Sequence, residues 1–497
     1  MFLCIINNLF FIEPEEGQKM EKYFMLKENG TTVRKEIIAG ITTFFAMAYI
    51  VFVNPNQVAA GGANGWLSEL GANSSALGQI WNSVYIASIL GAFVGTLLMS
   101  LYAKLPFAQA CGMGLNAFFC TMFVSGAFFA GFDVTKGYQA GLVIIFVSGL
   151  IFLLLSITGA RNYIAKAMPT CLKAAIPAGI GLFIAFIGFQ NAGIIQANQY
   201  TLVQFFDFNG AFDAGLSTWI PVVVALFGLL LIAILTKLKV SGAIIISIII
   251  SSVLYYILTK SVPNFDLQQI GQSFKDFGSV GIKAIFTPES WSNAFSAEFL
   301  GGIFNVIMLI ITFCLVDMFD TLGTVYGTAA QADMLDENGD PIRLEKAMMC
   351  DSIATVSGAV FGTSTVTTFV ESSAGVAAGG RTGLTSLTTA LCFFVCLFLA
   401  PVASIIPSCA TAPALIFVGV LMMKNFAKVD MDDVASAVPA FLAMIMMVLT
   451  YSISNGIGIG CIAYTIITLC TGKYSKKDIM VTVISILFAI RFAFITM

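Results

Sequence analysis

The chain has 497 residues, of which 58% are apolar and only 10% are charged, and its formal net charge is -3. Soluble domains average about 45–50% apolar and about 25% charged residues, so this composition excludes a water-soluble fold. The sequence has no long Lys/Arg run and no basic aromatic stripe, which argues against nucleic acid as a partner. The Cys residues form no CxxC pair and there is no His, so neither a metal site nor a cofactor is expected.

The beginning of the chain is unusual. An apolar stretch from Met1 to Ile12 lacks the basic region and cleavage site of a signal peptide. Met20 opens a more ordinary start, so residues 1–19 are predicted to be an upstream extension. Residues 1–36 together are expected to form a cytoplasmic segment.

Apolar segments then recur along the chain, many of them close to the roughly 20 residues that a helix needs to cross a bilayer. The sequence predicts fourteen spans, at 37–58, 81–101, 108–130, 139–159, 173–195, 218–236, 240–259, 297–327, 345–362, 364–380, 383–405, 411–424, 434–452 and 455–471. The predicted fold class is therefore an all-α polytopic membrane protein.

The distribution of basic residues predicts the orientation. With a cytoplasmic N-terminus, 19 of the 24 Lys and Arg residues fall on the inner side, as the positive-inside rule requires. Only Lys136, Lys260, Lys275 and Lys283 fall outside. Arg491 lies in a further apolar stretch, 479–496, for which an interfacial helix and a fifteenth span both remain open.

Two short echoes suggest an internal duplication. Gly91-Ala-Phe-Val-Gly-Thr96 resembles Gly358-Ala-Val-Phe-Gly-Thr363, and Ile176-Pro-Ala178 resembles Ala412-Pro-Ala414. Both pairs are offset by seven predicted spans. An odd number of crossings inverts the second copy, which predicts the inverted-repeat plan of many secondary transporters. Chance recurrence of small residues in membrane helices is the alternative.

The third and tenth spans are each interrupted by a segment that looks extended and runs into a Gly-containing helix start. These segments are Leu105 to Phe119 and Gly362 to Gly380. An interrupted pair in corresponding positions of two halves predicts a transport site, because freed backbone groups are tolerated where they line a cavity. Two packing kinks rich in small residues would be the alternative.

Acidic residues within the spans are few. Glu371 lies at the interruption of the tenth span, next to Ser372, Ser373 and Gly375. An intramembrane acid is costly, so it marks a functional site by default. Because there is no imidazole, a carboxylate is the most plausible proton carrier.

Two further acids, Asp317 and Asp320, share one face of the eighth span, with Thr324 four residues beyond Asp320. A purely structural polar network would also explain this cluster. Asp351 is close enough to the cytoplasmic edge to be interfacial. Asn116, in the third span, carries an amide that suits the mixed donor and acceptor edge of a nucleobase.

Several strings resemble those of adenine/guanine/hypoxanthine permeases, the AzgA-like nucleobase:cation symporters. They are Thr42-Thr-Phe-Phe-Ala-Met-Ala-Tyr-Ile-Val-Phe-Val-Asn-Pro55, Gly112-Met-Gly-Leu-Asn-Ala-Phe118, Phe319-Asp-Thr-Leu-Gly-Thr324 and Glu371-Ser-Ser-Ala-Gly-Val-Ala-Ala-Gly-Gly-Arg-Thr-Gly383. The likeness extends from about residue 20 to 475. The fold alone would be less specific, because relatives that share it carry uracil, xanthine, sulfate or bicarbonate.

The resemblance implies a 7+7 inverted repeat with a core domain and a gate domain, and with short strands in the broken spans. The core would comprise 37–159 and 297–405, and the gate 173–259 and 411–471. An extracellular loop, 260–296, and a C-terminal segment, 472–497, complete the division.

The resemblance also implies a plasma-membrane symporter that imports adenine, guanine or hypoxanthine with protons by alternating access. Carried over by position, its site acids fall on Asp320 and Glu371, and its third-span polar residue falls on Asn116. The expected substrate site comprises Glu371, Asp320, Asn116, Ser372, Ser373, Gly375, Thr324 and Phe319. The expected proton-coupling residues are Asp320, Glu371 and Asp317.

The expected partners are a purine nucleobase, protons and the lipid bilayer, and a homodimer is left open. Phe45, Phe118 and Phe319 are candidates for stacking on the base. A uracil/xanthine carrier or an inorganic anion carrier on the same fold is the main alternative function. A channel fits broken helices with buried acids less well, and an enzyme is disfavoured because the sequence has no nucleophile elbow or metal-ligand cluster.

Overall fold

The computed structural model describes residues 21–159, 168–198, 200–209, 216–240, 242–263, 265–296, 300–332, 334–336, 340–475 and 478–494. The whole of the proposed upstream extension, residues 1–19, together with Arg161 and Lys166, therefore lies outside the described residues.

Helices dominate the first half of the chain. They are α1 (Val33–Met47), α2 (Ile50–Val58), α3 (Ser74–Leu98), α4 (Met113–Phe119), α5 (Val134–Thr158), α6 (Thr170–Asn191), α7 (Leu216–Lys237) and α8 (Ala243–Thr259). A strand, β1 (Gln109–Cys111), precedes α4, and a hairpin of β2 (Ile195–Asn198) and β3 (Leu202–Phe205) follows α6.

The second half begins with two shorter helices, α9 (Gln268–Asp276) and α10 (Pro288–Ala294). Its helices are α11 (Ile303–Gln331), α12 (Leu344–Phe361), α13 (Ser372–Ala377), α14 (Gly383–Val395), α15 (Ser408–Met422), α16 (Val434–Leu449), α17 (Ile453–Cys470) and α18 (Ile479–Phe494). The strand β4 (Val366–Thr368) precedes α13.

Within the described residues, 9 helices are long and apolar enough to cross a membrane. Shorter apolar helices cover Met113–Phe129, Ala243–Thr259, Val434–Leu449 and Ile479–Ala493. This content confirms a multi-pass, mostly helical membrane protein. The count of fourteen spans stays a prediction.

Side-chain caps fix the starts of several helices. The Asn73 side chain accepts a hydrogen bond from Ala76 N at the start of α3, and Asp133 accepts bonds from two backbone amides at the start of α5. The first backbone N–H groups of a helix have no partner within the helix. These side chains bond to them and so fix where the helices begin.

The two broken segments meet as an antiparallel strand pair, with Gln109 opposite Thr368 and Cys111 opposite Val366. Before β1, Lys104 has a left-handed backbone (φ 56) and Pro106 follows, so a helix cannot continue there. Before β4, Gly362 (φ 108) ends α12, and the following segment is rich in Thr and Val, which favour extended backbone. The pair satisfies backbone groups that the breaks would otherwise expose in the membrane interior.

The first pair of similar motifs, which contains Gly91 and Gly358, lies where α3 packs against α12. A Cβ on Gly91 would lie 3.8 Å from Gly358 Cα, and a Cβ on either glycine would press on Val366. Helices α3 and α12 can therefore cross closely beside β4 because both positions lack a side chain.

Candidate functional site

A cavity of about 500 Å³ lies between the two broken segments, α11 and helices of both halves. Its size is in the range of small-molecule binding sites. The buried and half-buried residues that line its deep part are Tyr49, Gly112, Met113, Gly114, Asp320, Thr324, Thr367, Thr368, Phe369, Glu371 and Ser373. Apolar residues such as Ile184 and Phe417 complete the wall opposite these groups.

Glu371 stands where β4 turns into α13. The hydroxyl of Tyr49 donates a hydrogen bond to Glu371 Oε1 at 2.6 Å, and both side chains are buried. Tyr49 itself lies at the junction of α1 and α2, where the first span is interrupted by a turn. The bond therefore joins the first span to the break in the tenth.

Asp320 lies in the second half of α11 and is half-buried on the cavity wall. Gly323, Thr324, Gly327 and Thr328 continue the same face of the helix along the cavity. A Cβ on either of these glycines would meet no described atom within 4 Å, so the glycines leave this face open. The cavity thus contains two carboxylates, Asp320 and Glu371, on different segments.

Asp317, one turn before Asp320, does not line the cavity but lies behind the strand pair. Thr355 donates to Asp317 Oδ2 at 2.8 Å, and Thr321 donates to Asp351 Oδ2 at 2.6 Å. Asp317 and Thr321 are four residues apart on α11, as are Asp351 and Thr355 on α12, so the two acid–threonine bonds form neighbouring links between the helices.

Asp351 is fully buried within the protein, and its interfacial depth in the membrane stays a prediction. Gln109 Nε2, from β1, donates to Asp351 Oδ1 at 3.1 Å, and Thr368 of β4 lies 3.5 Å from the same oxygen. A buried carboxylate requires such donors. Asp351 therefore anchors the rear of the strand pair, while Thr368 also reaches the cavity.

Asn116 is fully buried in α4 and is not among the cavity-lining residues. Its amide nitrogen donates to Asn54 Oδ1, and its carbonyl oxygen accepts a bond from Ser364. Asn54 in turn donates to Ser88 and to Thr363. The structure therefore places Asn116 in a network that connects α2, α3 and the segment before β4.

The other expected site residues also fall into two groups, those that line the cavity and those that do not. Ser373 and Thr324 line the cavity, whereas Ser372, Gly375 and Phe319 do not. Ser372 Oγ accepts from Ala108 N at 3.0 Å, and a Cβ on Gly375 would lie 1.9 Å from Thr43 Oγ1. These residues support the broken segments from outside the cavity.

The aromatic residues of the cavity are Tyr49, Phe369 and Phe417. The sequence reasoning instead named Phe45, Phe118 and Phe319, which are absent from the lining. A usable signal existed for Phe369, since it lies two residues before Glu371 at the break. Phe417 lies on the opposing helix α15, and no sequence pattern connects it with the acids.

The mouth of the cavity is lined mainly by polar and basic residues, in contrast to the acidic deep part. Thr236, Val240, Lys424, Asn425 and Lys428 line it near the end of α7 and the end of α15. These positions lie beside the basic residues that the positive-inside count assigns to the cytoplasm. Acidic groups therefore occupy the deep part and basic groups the mouth.

The chemistry of the site is that of binding. Among the described residues, no group of three or more His, Cys, Asp or Glu is placed to hold a metal ion. Two carboxylates, threonine and serine hydroxyls and aromatic rings surround a space of a size suited to a small molecule.

A helical bundle with two broken segments that meet around a cavity inside the membrane defines a membrane carrier. The fold is similar to that of the transmembrane domain of a cyanobacterium bicarbonate transporter, BicA, with a TM-score of 0.57 and 14% identity over 85% of this chain and 97% of that one.

The model of the permease family (Xan_ur_permease) matches residues 34–459, and the chain belongs to this family. The guanine/hypoxanthine permease PbuG of Bacillus subtilis is 41% identical over 96% of this chain and 100% of its own length. The adenine permease AdeP of Escherichia coli is 37% identical over 96% of this chain and 97% of its own length. These relatives confirm the family that the sequence motifs predicted.

Proposed function

We propose that this protein imports purine nucleobases, namely adenine, guanine and hypoxanthine, by proton symport. The observation that carries the proposal is the pair of carboxylates, Glu371 and Asp320, in one cavity between the two broken segments. The names of the full-length relatives, guanine/hypoxanthine and adenine permeases, support purines as the substrate class.

In the proposed complex the base lies in the deep part of the cavity. Glu371 accepts hydrogen bonds from ring or exocyclic N–H groups, while Tyr49 holds its Oε1 atom. Phe369 and Phe417 provide faces for the ring, and Ser373 and Thr324 offer hydroxyls to its acceptors. Ionised acceptors give stronger bonds than neutral ones, so the carboxylate would contribute much of the affinity.

The proton is assigned to the carboxyl groups of α11. Asp320 faces the cavity, close to the proposed substrate, and can exchange protons with water that enters it. Asp317 is the second candidate, because its Oδ1 atom is buried and has no hydrogen-bond partner among the described residues. A protonated Asp317 would leave no ionised oxygen uncompensated there.

In this proposal, four of the expected substrate-site residues support the site without contacting the base: Asn116, Ser372, Gly375 and Phe319. They hold the broken segments whose front surface contacts the base. Their substitution should therefore alter the shape of the site rather than remove a substrate contact. The internal hydrogen bonds of Asn116 and Ser372 favour this role over direct binding.

The proposed architecture is fourteen spans in a 7+7 inverted repeat in the plasma membrane, with the N-terminus in the cytoplasm. The antiparallel pairing of β1 with β4 and the close approach of Gly91 to Gly358 support two inverted copies. The core and gate boundaries implied by the resemblance are kept. Because Lys424 and Lys428 line the mouth, the cavity would be open to the cytoplasm in this conformation.

The deciding experiment is uptake of labelled adenine, guanine and hypoxanthine into cells or proteoliposomes containing the purified protein. We expect saturable uptake that an imposed inward proton gradient increases. Unlabelled purines should compete, whereas uracil, xanthine, sulfate and bicarbonate should not. Absence of purine uptake by correctly inserted protein would contradict the proposal.

An inorganic anion carrier is the second candidate, because Lys424 and Lys428 line the mouth and the fold is similar to that of a bicarbonate transporter. Two carboxylates in the deep part would repel an anion at the position where it should bind. Sulfate or bicarbonate uptake in the same assay would favour this candidate.

A further inference from the structure

The last described helix, α18, returns alongside α17 in the opposite direction. Tyr464 donates to Asp478 at 3.0 Å near the beginning of α18, and Thr465 and Ser485 share a hydrogen bond of 2.8 Å further along. Near the other end, a Cβ on Gly458 would lie 2.5 Å from the ring of Phe488. These successive contacts make α17 and α18 one packed unit.

Near its end, α18 carries a buried arginine. Arg491 is only 1% exposed. Its Nε donates to Asn305 Oδ1 of α11 at 3.0 Å, and its Nη1 donates to Ser454 Oγ of α17 at 2.7 Å. Ser454 Oγ also lies 3.0 Å from Thr312 Oγ1 of α11. One guanidinium and two hydroxyls thus hold α11 to α17.

This junction lies far from the cavity mouth. Asn305 is in the first turn of α11, whereas the residues of α11 that line the cavity run from Asp320 to Thr328. At a rise of 1.5 Å per residue, Asn305 and Thr328 are about 34 Å apart along the helix. The junction therefore lies beyond the cavity along α11, at the end of the helix away from the residues that line the cavity.

We propose that α18 is a latch that holds α11 against α17 at that end of α11, and that these contacts separate when the cavity opens on that side. The proposal rests on the alternating access of the proposed function. In that scheme α11 belongs to the core and α17 to the gate, so movement between the two domains must break this junction. The α17–α18 contacts lie within one moving unit and stay intact.

Two cysteine pairs, each introduced into a variant without the native cysteines, test the α11–α17 junction and the α17–α18 contacts separately. Thr312→Cys with Ser454→Cys joins α11 to α17, and Thr465→Cys with Ser485→Cys joins α17 to α18. We expect oxidation of the first pair to abolish uptake of labelled hypoxanthine, and reduction to restore it. Oxidation of the second pair, the matched control, should leave uptake unchanged.

Measuring hypoxanthine binding to the same purified, oxidised proteins distinguishes failure of the latch from failure of the proposed function. Binding without transport in the first pair supports the latch, because the cavity stays open at its mouth. Full uptake by the first pair when completely cross-linked would overturn the latch and leave purine transport standing. Failure of the unmodified protein to bind or transport purines would instead overturn the proposed function.

The arginine itself is tested by Arg491→Gln in both cysteine-pair backgrounds. In the pair that replaces Ser454, Arg491 still bonds Asn305 Oδ1 of α11 at 3.0 Å and Asn455 Oδ1 of α17 at 3.5 Å. Loss of these charge-assisted hydrogen bonds should shift the closed-to-open ratio at the junction by about tenfold or more. The initial rate of cross-linking between positions 312 and 454 should fall correspondingly, while the rate between 465 and 485 should not change. Equal rates with Arg491 and with Gln at that position would show that Arg491 does not hold the latch.

Discussion

The hydroxyl of Tyr49 lies 2.6 Å from Glu371 Oε1. This contact brings together two positions separated by 322 residues in the chain, the interruption of the first span and the interruption of the tenth. Both side chains also line the cavity. The Tyr49 hydroxyl therefore sets the position of the carboxylate that we assign to substrate binding.

Replacing Tyr49 by Phe should weaken purine binding by about three- to tenfold, because the loss of a hydrogen bond worth about 0.7–1.4 kcal/mol leaves Glu371 less well oriented. Calorimetry or fluorescence titration with hypoxanthine measures the effect. Tyr85→Phe is the matched control, since Tyr85 is also buried and donates a bond of 2.6 Å, but to the Cys396 carbonyl away from the cavity. It should lower thermal stability without changing affinity, and an equal loss of affinity in both variants would contradict the role of Tyr49.

Glu371→Gln should weaken purine affinity by about ten- to a hundredfold. The neutral amide offers one carbonyl acceptor in place of two carboxylate oxygens, and charge-assisted bonds contribute about 1.5–3 kcal/mol each. The purified variant must first show normal membrane insertion and an unchanged melting temperature. If it then binds adenine, guanine and hypoxanthine as tightly as the parent, the Glu371 charge is not needed for binding.

Asp320→Asn should abolish uphill accumulation of purine while leaving exchange or binding measurable. The amide keeps the shape and hydrogen-bonding capacity of the side chain but cannot gain or lose a proton at the site. Counterflow in proteoliposomes measures exchange, and uptake driven by an imposed pH gradient measures coupling. Concentrative uptake with an unchanged pH dependence would remove Asp320 from the coupling mechanism.

The proposed orientation predicts which side each loop faces. Lys346, in the first turn of α12, and Lys275, in α9, are both exposed. In a variant without native cysteines, a single Cys at position 346 should react with an impermeant thiol reagent only after the cells are opened, because the basic loops face the cytoplasm. A Cys at position 275 should react in intact cells. Equal labelling of both positions in intact cells would refute the fourteen-span frame.

The resemblance of the motifs predicted the family, and the hydropathy pattern predicted a multi-pass, mostly helical membrane protein. The breaks in the third and tenth spans were also visible, because Pro106 and Gly362 and the Thr-rich segment after it are local signals. The positions of the two echoed motifs pointed to helices that do pack together, as the close approach of Gly91 to Gly358 shows. These features depend on residues close together in the chain or on repetition of a pattern.

The sequence did not show which polar residues face the cavity and which lie behind the strand pair. Asp317 and Asp320 are three residues apart, yet Asp320 faces the cavity and Asp317 bonds to Thr355 behind the strands. Asn116 seemed equivalent to Glu371 by its position at a break, but its amide is bonded to Asn54 and Ser364. The direction of a side chain relative to a cavity depends on which helices surround it.

The sequence by itself determined that this chain crosses a membrane many times, that two of its spans are broken, and that acids lie near the breaks. Those properties follow from local composition, because the bilayer excludes charge and requires every backbone group to be bonded. Only the tertiary structure decided that Tyr49 bonds Glu371, that Asp351 anchors the strands, and that Arg491 joins α11 to α17. Each of these contacts connects distant parts of the chain, and helix packing rather than local preference brings their atoms within bonding distance.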